Sequence, residues 1–258
     1  MLCAALLPPG VAIAGEWQPP TRQVETLMRS HIAAAAGALD PRPARTLERI
    51  DGTARRLLAL RSYLRSSTDL ASRWSWNDAE IARYAGSAEQ RLMRQDIERV
   101  RSQFARRNPG YTLLVEPQVR SLDVQLRRWN DNDSVAGAAA ELANAVVAEI
   151  RADRELRTVT ASSTLRFVEL LRRYTPRRIP SLAAPGLSLH GRMRAVDFAV
   201  VQGRRIVAGA DTGAIRRDWL AAGWSERLHA AIAAADVPLS GPLQKPQEPW
   251  HYEYKPRG

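Results

Sequence analysis

Four residues in two short stretches have the types and spacing needed for metal-assisted hydrolysis. His190 and Asp197 bracket the start of an apolar run in LSLHGRMRAVDF (187–198), and Glu248 and His251 lie close together in EPWHYEY (248–254). Histidine is the commonest nitrogen ligand for zinc, and aspartate is a good oxygen ligand. A third ligand, His251, on a neighbouring strand would complete a three-ligand site that keeps one position open, as a catalytic zinc requires. Glu248, just ahead of His251, is then placed to act as a base on water.

The local sequence must explain how Glu248 and His251 reach one site. Pro249 stands between them and Pro246 just before, so the segment is not a helix, and Trp250, Tyr252 and Tyr254 favour a strand. The expectation is a turn or extended loop carrying Glu248, with a strand starting near Trp250. His251 and Glu253 would face one side of it, and Trp250, Tyr252 and Tyr254 the other. Upstream, Ala195 to Val201 reads as a strand, Gln202-Gly203 as a turn, and Arg204 to Val207 as the returning strand of a hairpin. Tyr111 to Val115 is a further strand candidate. Helices are expected at about Val135 to Leu156, Ser163 to Tyr174, Ile215 to Ala222 and Ser225 to Ala235. This mixture predicts an α+β domain from about residue 108 to the end.

Residues 21 to 107 read as helices only. One runs from Thr21 to Leu39 and a second from Ala44 to about Ser66. A third, capped by Asn77 or Asp78, reaches Asn108-Pro109-Gly110. The last two are expected to pair as an antiparallel hairpin, with His31 on the surface of the first. No cluster here looks catalytic, so packing or docking of a partner is the reading for residues 15–107. The first fourteen residues are apolar and end in Ala12-Ile13-Ala14, which resembles the end of a secretory signal peptide. The only cysteine, Cys3, falls inside that segment, so the processed chain would hold neither a disulfide nor a thiolate metal site.

The three motifs together resemble the VanY-type D-alanyl-D-alanine zinc carboxypeptidases and dipeptidases. That family carries S-x-H-x-x-G-x-A-x-D followed by E-P-W-H. Here Ser188, His190, Ala195 and Asp197 match the first motif, and Glu248-Pro249-Trp250-His251 the second. Val119-Arg120-Ser121 with Gln125 matches an upstream Y-R-S motif and the glutamine that follows it, lacking only the tyrosine. The resemblance covers about residues 108–258 and implies a small antiparallel sheet with flanking helices, the fold shared with hedgehog domains. It implies zinc held by His190, Asp197 and His251, and Glu248 as general base and then general acid. Arg120 would stabilise an oxyanion or grip a substrate carboxylate, and Ser188 and Gln125 would help to hold substrate. The substrate implied is a peptidoglycan stem peptide, in the periplasm or outside the cell. An endopeptidase of the same fold and a non-catalytic wall-binding module are the alternatives. One departure stands out, because the family glycine three residues after the first histidine is Met193 here, with Gly191 nearby.

The net charge of +11 is nearly all arginine, since the chain has only two lysines, Lys245 and Lys255. No basic cluster is interleaved with aromatics as a single-strand binder needs, and no nucleic-acid motif is present. Asp131-Asn132-Asp133 hints at a calcium loop, but Ala136 replaces the required glycine and Leu142 the terminal glutamate, so a helix cap is the better reading. No stretch is long and apolar enough to be read as a membrane span.

Overall fold

The computed structural model describes residues 20–66, 70, 74–115, 119–245 and 247–256. The expected signal segment therefore lies outside the described residues. In chain order the elements begin with α1 (Arg22–Ala36), α2 (Pro41–Glu48), α3 (Thr53–Arg65), α4 (Asp78–Tyr84) and α5 (Ala88–Arg107). Next come β1 (Thr112–Val115), α6 (Leu122–Asp131), α7 (Asp133–Ala152) and α8 (Ala161–Arg173). The chain continues with β2 (Ala195–Gln202), β3 (Arg205–Ala208), α9 (Trp224–Ala235), β4 (Leu239–Ser240) and β5 (His251–Tyr254). Glu155–Arg157 and Leu189–Arg192 form 3-10 turns, and Ile215–Leu220, expected as an α-helix, is a π-helical turn. None of the described helices is long and apolar enough to cross a membrane.

Two compact units interleave along the chain. The first takes the described residues up to Ser66 together with Asn132–Leu182, and the second takes Ser67–Asp131 together with Ala183–Gly258. The boundary read from the sequence at 107/108 is not where the units divide. Helix α5 lies before that boundary, yet it packs on β1 and on α9 within the second unit. The second predicted helix falls in the first unit and the third in the second.

The first unit is helical, with α3 packed on α7 and both α1 and α8 packed on α3. The inner face of α7 repeats every three or four residues through Val135, Ala138, Ala139, Leu142, Ala143, Val146 and Ile150, and its alanines let α3 approach closely. The predicted 44–66 helix is broken into α2 and α3, with Gly52 at φ 72° between them. Asn132 caps α7, accepting the Val135 N–H at 3.0 Å. His31 is fully buried rather than on the surface. It shares the inward stripe of α1 with Met28, Ile32 and Ala35, stacks on Phe167 at 4.9 Å, and has Nε2 2.9 Å from the Leu156 carbonyl oxygen.

The second unit carries the sheet, ordered β1-β2-β5-β4 and antiparallel throughout, with β3 also paired to β2. Along β2, Val196, Phe198 and Val200 turn into a core shared with Leu113, Tyr252, Tyr254, Trp250 and the inner faces of α5 and α9. Burying each large apolar side chain of this kind contributes about 1.5–3 kcal/mol. The alternation leaves Asp197, Ala199 and Val201 on the opposite face. The long third helix predicted from Asn77 is two helices. Asn77 and Glu80 form a capping box at the start of α4, Gly86 at φ 76° interrupts it, and Ser87 caps α5.

Residues 74–76 run as an extended strap against 186–191. The Ser75 N–H donates to the Gly186 carbonyl at 2.9 Å, and the Trp76 N–H to the Gly191 carbonyl at 2.9 Å. Both acceptors are glycines because the strap lies too close for a side chain. A Cβ at Gly186 would fall on the Trp74 ring, and one at Gly191 on Ser75 and the Gln125 amide. Gly186 and Gly110 both have positive φ, 93° and 85°, but a Cβ at Gly110 meets open space. Gly110→Ala should therefore cost only the left-handed backbone, about 1–2 kcal/mol. Gly186→Ala should cost about a further 1–3 kcal/mol for the overlap with Trp74. Denaturant unfolding followed by tryptophan fluorescence measures both, and equal losses would show that the strap is not tightly seated.

Candidate metal centre

His251 opens β5 and pairs directly across from Asp197 on β2, with Val196 opposite Tyr252 and Ala195 opposite Glu253 as the next rungs. Side chains alternate across a strand, so this register puts Asp197 and His251 on one face while Val196 and Tyr252 enter the core. As expected, Trp250, Tyr252 and Tyr254 share the buried side, at 3%, 0% and 3% exposure.

The spacing in EPWH is that of a β-turn. The His251 N–H donates to the Glu248 carbonyl at 3.1 Å, which closes a four-residue turn with Pro249 in its second position, where proline is favoured. The turn is held from outside by Leu243, which accepts the Glu248 N–H at 2.9 Å and donates to the His251 carbonyl at 3.1 Å. Within the turn, Glu248 Oε2 lies 3.8 Å from His251 Nδ1. A carboxylate and a histidine thus meet without a helix.

His190 comes from the 3-10 turn just ahead of β2. That turn ends at Met193, whose φ of 55° and ψ of 35° are left-handed. Glycine is the ordinary occupant of such a position, and here methionine adopts the same backbone at a strain of about 1–2 kcal/mol. Packing of its side chain against the core offsets part of that strain. Met193 thus holds a left-handed position at the end of the turn that carries His190.

His190 Nε2, His251 Nδ1 and Asp197 Oδ1 converge. The separations are 3.2 Å between the two nitrogens, 3.3 Å from His190 to Asp197 and 2.9 Å from His251 to Asp197. Bonds of 2.0–2.1 Å to a tetrahedral ion would hold donor atoms about 3.3 Å apart. Two imidazole nitrogens and one carboxylate oxygen at this near-equal spacing fit a zinc-like metal, and among the described residues this group could hold an ion. All three side chains are largely buried, at 11–12% exposure.

Arg120 sits on the other oxygen of the same carboxylate, donating to Asp197 Oδ2 at 3.1 Å. Burial alone would raise the Asp197 pKa. Hydrogen bonds from His190 and His251, with the electrostatic attraction of the two rings, outweigh it and hold the carboxyl far below its ordinary range. Glu248 goes the other way. Burial, reinforced by the charge of Asp197, raises its pKa, with His251, His190 and Arg120 opposing.

Gln125, expected to bind substrate, is directed to protein groups at both ends of its amide. Nε2 donates to the Arg120 carbonyl at 2.7 Å and to Ser75 Oγ at 2.9 Å, and Oε1 accepts the Gly186 N–H at 3.0 Å. Ser188 contributes its carbonyl, which lies 3.0 Å from Ser75 Oγ. Ser75 went unnoticed in the sequence, because a lone serine between two tryptophans carries no motif. The only sign of it is indirect, in the two glycines that make room for it.

If these three side chains hold a metal ion, Asp197→Asn or His251→Ala should sharply weaken its uptake in calorimetric titration, since each removes one of three donors. In the metal-free protein Glu248→Gln should raise stability at neutral pH. The folded state holds the Glu248 pKa above its ordinary 4.5, so its ionised form is disfavoured in the folded protein. The gain should shrink as pH falls through the raised folded pKa and be nearly gone below about 4.5, where Glu248 is protonated folded and unfolded alike. Thermal melts of both proteins from pH 4 to 8 would show it, and a neutral-pH loss would reverse the assignment. No family model matches this chain, and neither the curated proteins nor the solved structures compared with it include a match.

Proposed function

We propose that the protein is a zinc-dependent peptidase acting on peptidoglycan stem peptides, in the first instance as a D-alanyl-D-alanine carboxypeptidase of hedgehog-like fold in the bacterial cell envelope. One observation carries the reading. His190 and His251, 61 positions apart, bring their ring nitrogens to within 3.2 Å of each other beside Asp197, with the Glu248 carboxylate at the edge of the same cluster. A binding module that merely kept the fold would have no use for a desolvated carboxylate in that place.

When bound, zinc supplies Lewis acidity toward a substrate carbonyl and brings the pKa of water to about 7. The remaining work belongs to side chains. Glu248 Oε2 takes a proton from the attacking water and returns it to the leaving amine. Burial raises its proton affinity toward the working pH, which suits a group that must both accept and release a proton. Arg120, fixed by Asp197 Oδ2, keeps positive charge beside the reacting centre, where it would meet an oxyanion or the carboxylate at the end of a peptide. Asp197 thereby links the metal donors to the anion-binding group.

Mass spectrometry of pentapeptide muropeptides incubated with zinc-loaded protein, with and without chelator, tests the reading. Chelator-sensitive loss of one alanine is the expected result. An internal cut would keep the chemistry and move the assignment to an endopeptidase, and intact peptide with zinc bound would point to a wall-binding role or a different substrate. Glu248→Ala should lower turnover about 10²–10⁴-fold while zinc stays bound.

A further inference from the structure

We propose that Ser75 is a positioning residue for the metal centre, acting through Gln125 to set His190 and Arg120 against Asp197 as one unit. The inference rests on reading His190, Asp197 and His251 as a metal site.

Three chain segments meet at the Ser75 hydroxyl. It belongs to the strap 74–76, is 1% exposed, and lies 3.1 Å from the Gly186 carbonyl, 3.0 Å from the Ser188 carbonyl and 3.3 Å from Gln125 Oε1. Its single proton is shared among these acceptors, while its lone pair accepts from Gln125 Nε2 at 2.9 Å. Ser188 is the residue from which the His190 turn starts, and its carbonyl also accepts the Gly191 N–H at 3.0 Å. The hydroxyl therefore holds the base of the turn that presents one ligand.

Gln125 carries the connection to the second group. Its side chain reaches back along the start of α6 to the Arg120 carbonyl, 2.7 Å away, and across to the Gly186 N–H, 3.0 Å away. The Leu122 N–H, in the same segment as Arg120, donates to the Trp76 carbonyl at 3.0 Å. The strap is thus bonded on one edge to the loop bearing His190 and on the other to the segment bearing Arg120. Both converge on Asp197, His190 at Oδ1 and Arg120 at Oδ2. The glycines at 186 and 191 are a separate sign of the same arrangement, because any side chain there would expel Trp74 or Ser75. A buried hub with several partners strengthens each bond in it, and loss of one member leaves the others unsatisfied in a low dielectric.

Groups that orient metal ligands without touching the ion typically change metal affinity 10–100-fold when removed. Ser75→Ala should therefore weaken zinc affinity by about that factor and alter the visible spectrum of the cobalt-loaded protein, which reports donor geometry. Gln125→Met, which keeps the shape of the side chain and deletes its hydrogen bonds, should do the same. It also serves as the second variant if Ser75→Ala does not fold. Competition titration against a chromophoric chelator gives the affinities of the folded proteins, apart from any loss in melting temperature. Both variants binding zinc like the parent, with an unchanged cobalt spectrum, would overturn the proposal and reduce Ser75 to a packing residue. Failure of the parent protein itself to bind zinc would overturn the metal site, and the positioning role with it.

Discussion

Asp197 is a carboxylate taken almost entirely out of water, and removing an ionised group from solvent is costly unless other groups replace the lost hydration. In this fold the replacement is divided between its two oxygens. Oδ1 faces two imidazole nitrogens and Oδ2 faces the Arg120 guanidinium. Those partners come from three separate parts of the chain, so the carboxylate can be buried only once all three have been delivered. The delivery depends on register. A slip of one residue between β2 and β5 would send Asp197 toward the core and expose Val196. The aromatic side chains of β5 oppose such a slip, because Tyr252 and Tyr254 fill the inner face only in the observed pairing.

The same logic explains why Glu248 is not on a strand. A carboxylate on β5 itself would either share the face of His251 two residues away or point into the core. The turn closed between Glu248 and His251 places the carboxylate at the rim, near the ligand but with a different approach. Proline at its second position restricts the backbone before folding, which lowers the entropy lost in forming the turn. Pinning by Leu243 fixes the turn from the opposite side. The Glu248 carboxylate is thus held by backbone geometry, while its raised pKa reflects partial burial beside another carboxylate.

Much of this was legible in the sequence where side-chain chemistry is local. The apolar run AVDFAVV gave one central strand and the alternation in HYEY the other with its faces, Gln202-Gly203 gave the hairpin, and Asn77 gave a cap with Glu80 in its first turn. What escaped was set by tertiary contact or by single backbone positions. Gly52 and Gly86 look unremarkable inside helical patterns, yet each breaks one, so two predicted helices became four. His31 follows polar residues and read as exposed, although its position on the Met28-Ile32-Ala35 stripe is what buries it. The composition change at Asn108 looked like a domain boundary. It marks only the passage from α5 to β1 within one unit.

Met193 shows how a residue other than glycine can hold a left-handed position. The position needs a left-handed backbone, for which glycine is the least strained residue, and a match based on residue identity treats methionine as a loss. The surrounding bonds still impose the conformation. The Met193 N–H donates to Leu189 O and the Arg194 N–H to the same carbonyl at 3.0 Å, closing the turn between His190 and β2. Methionine also brings an unbranched, adaptable side chain that packs on the core below, contact that glycine would lack. A strained backbone thus stands beside His190, and it is stabilised by hydrogen bonds to carbonyls that any residue type could supply. Recognition by sequence alone weakens at such positions because the constraint acts on φ and ψ, and only indirectly on the side chain.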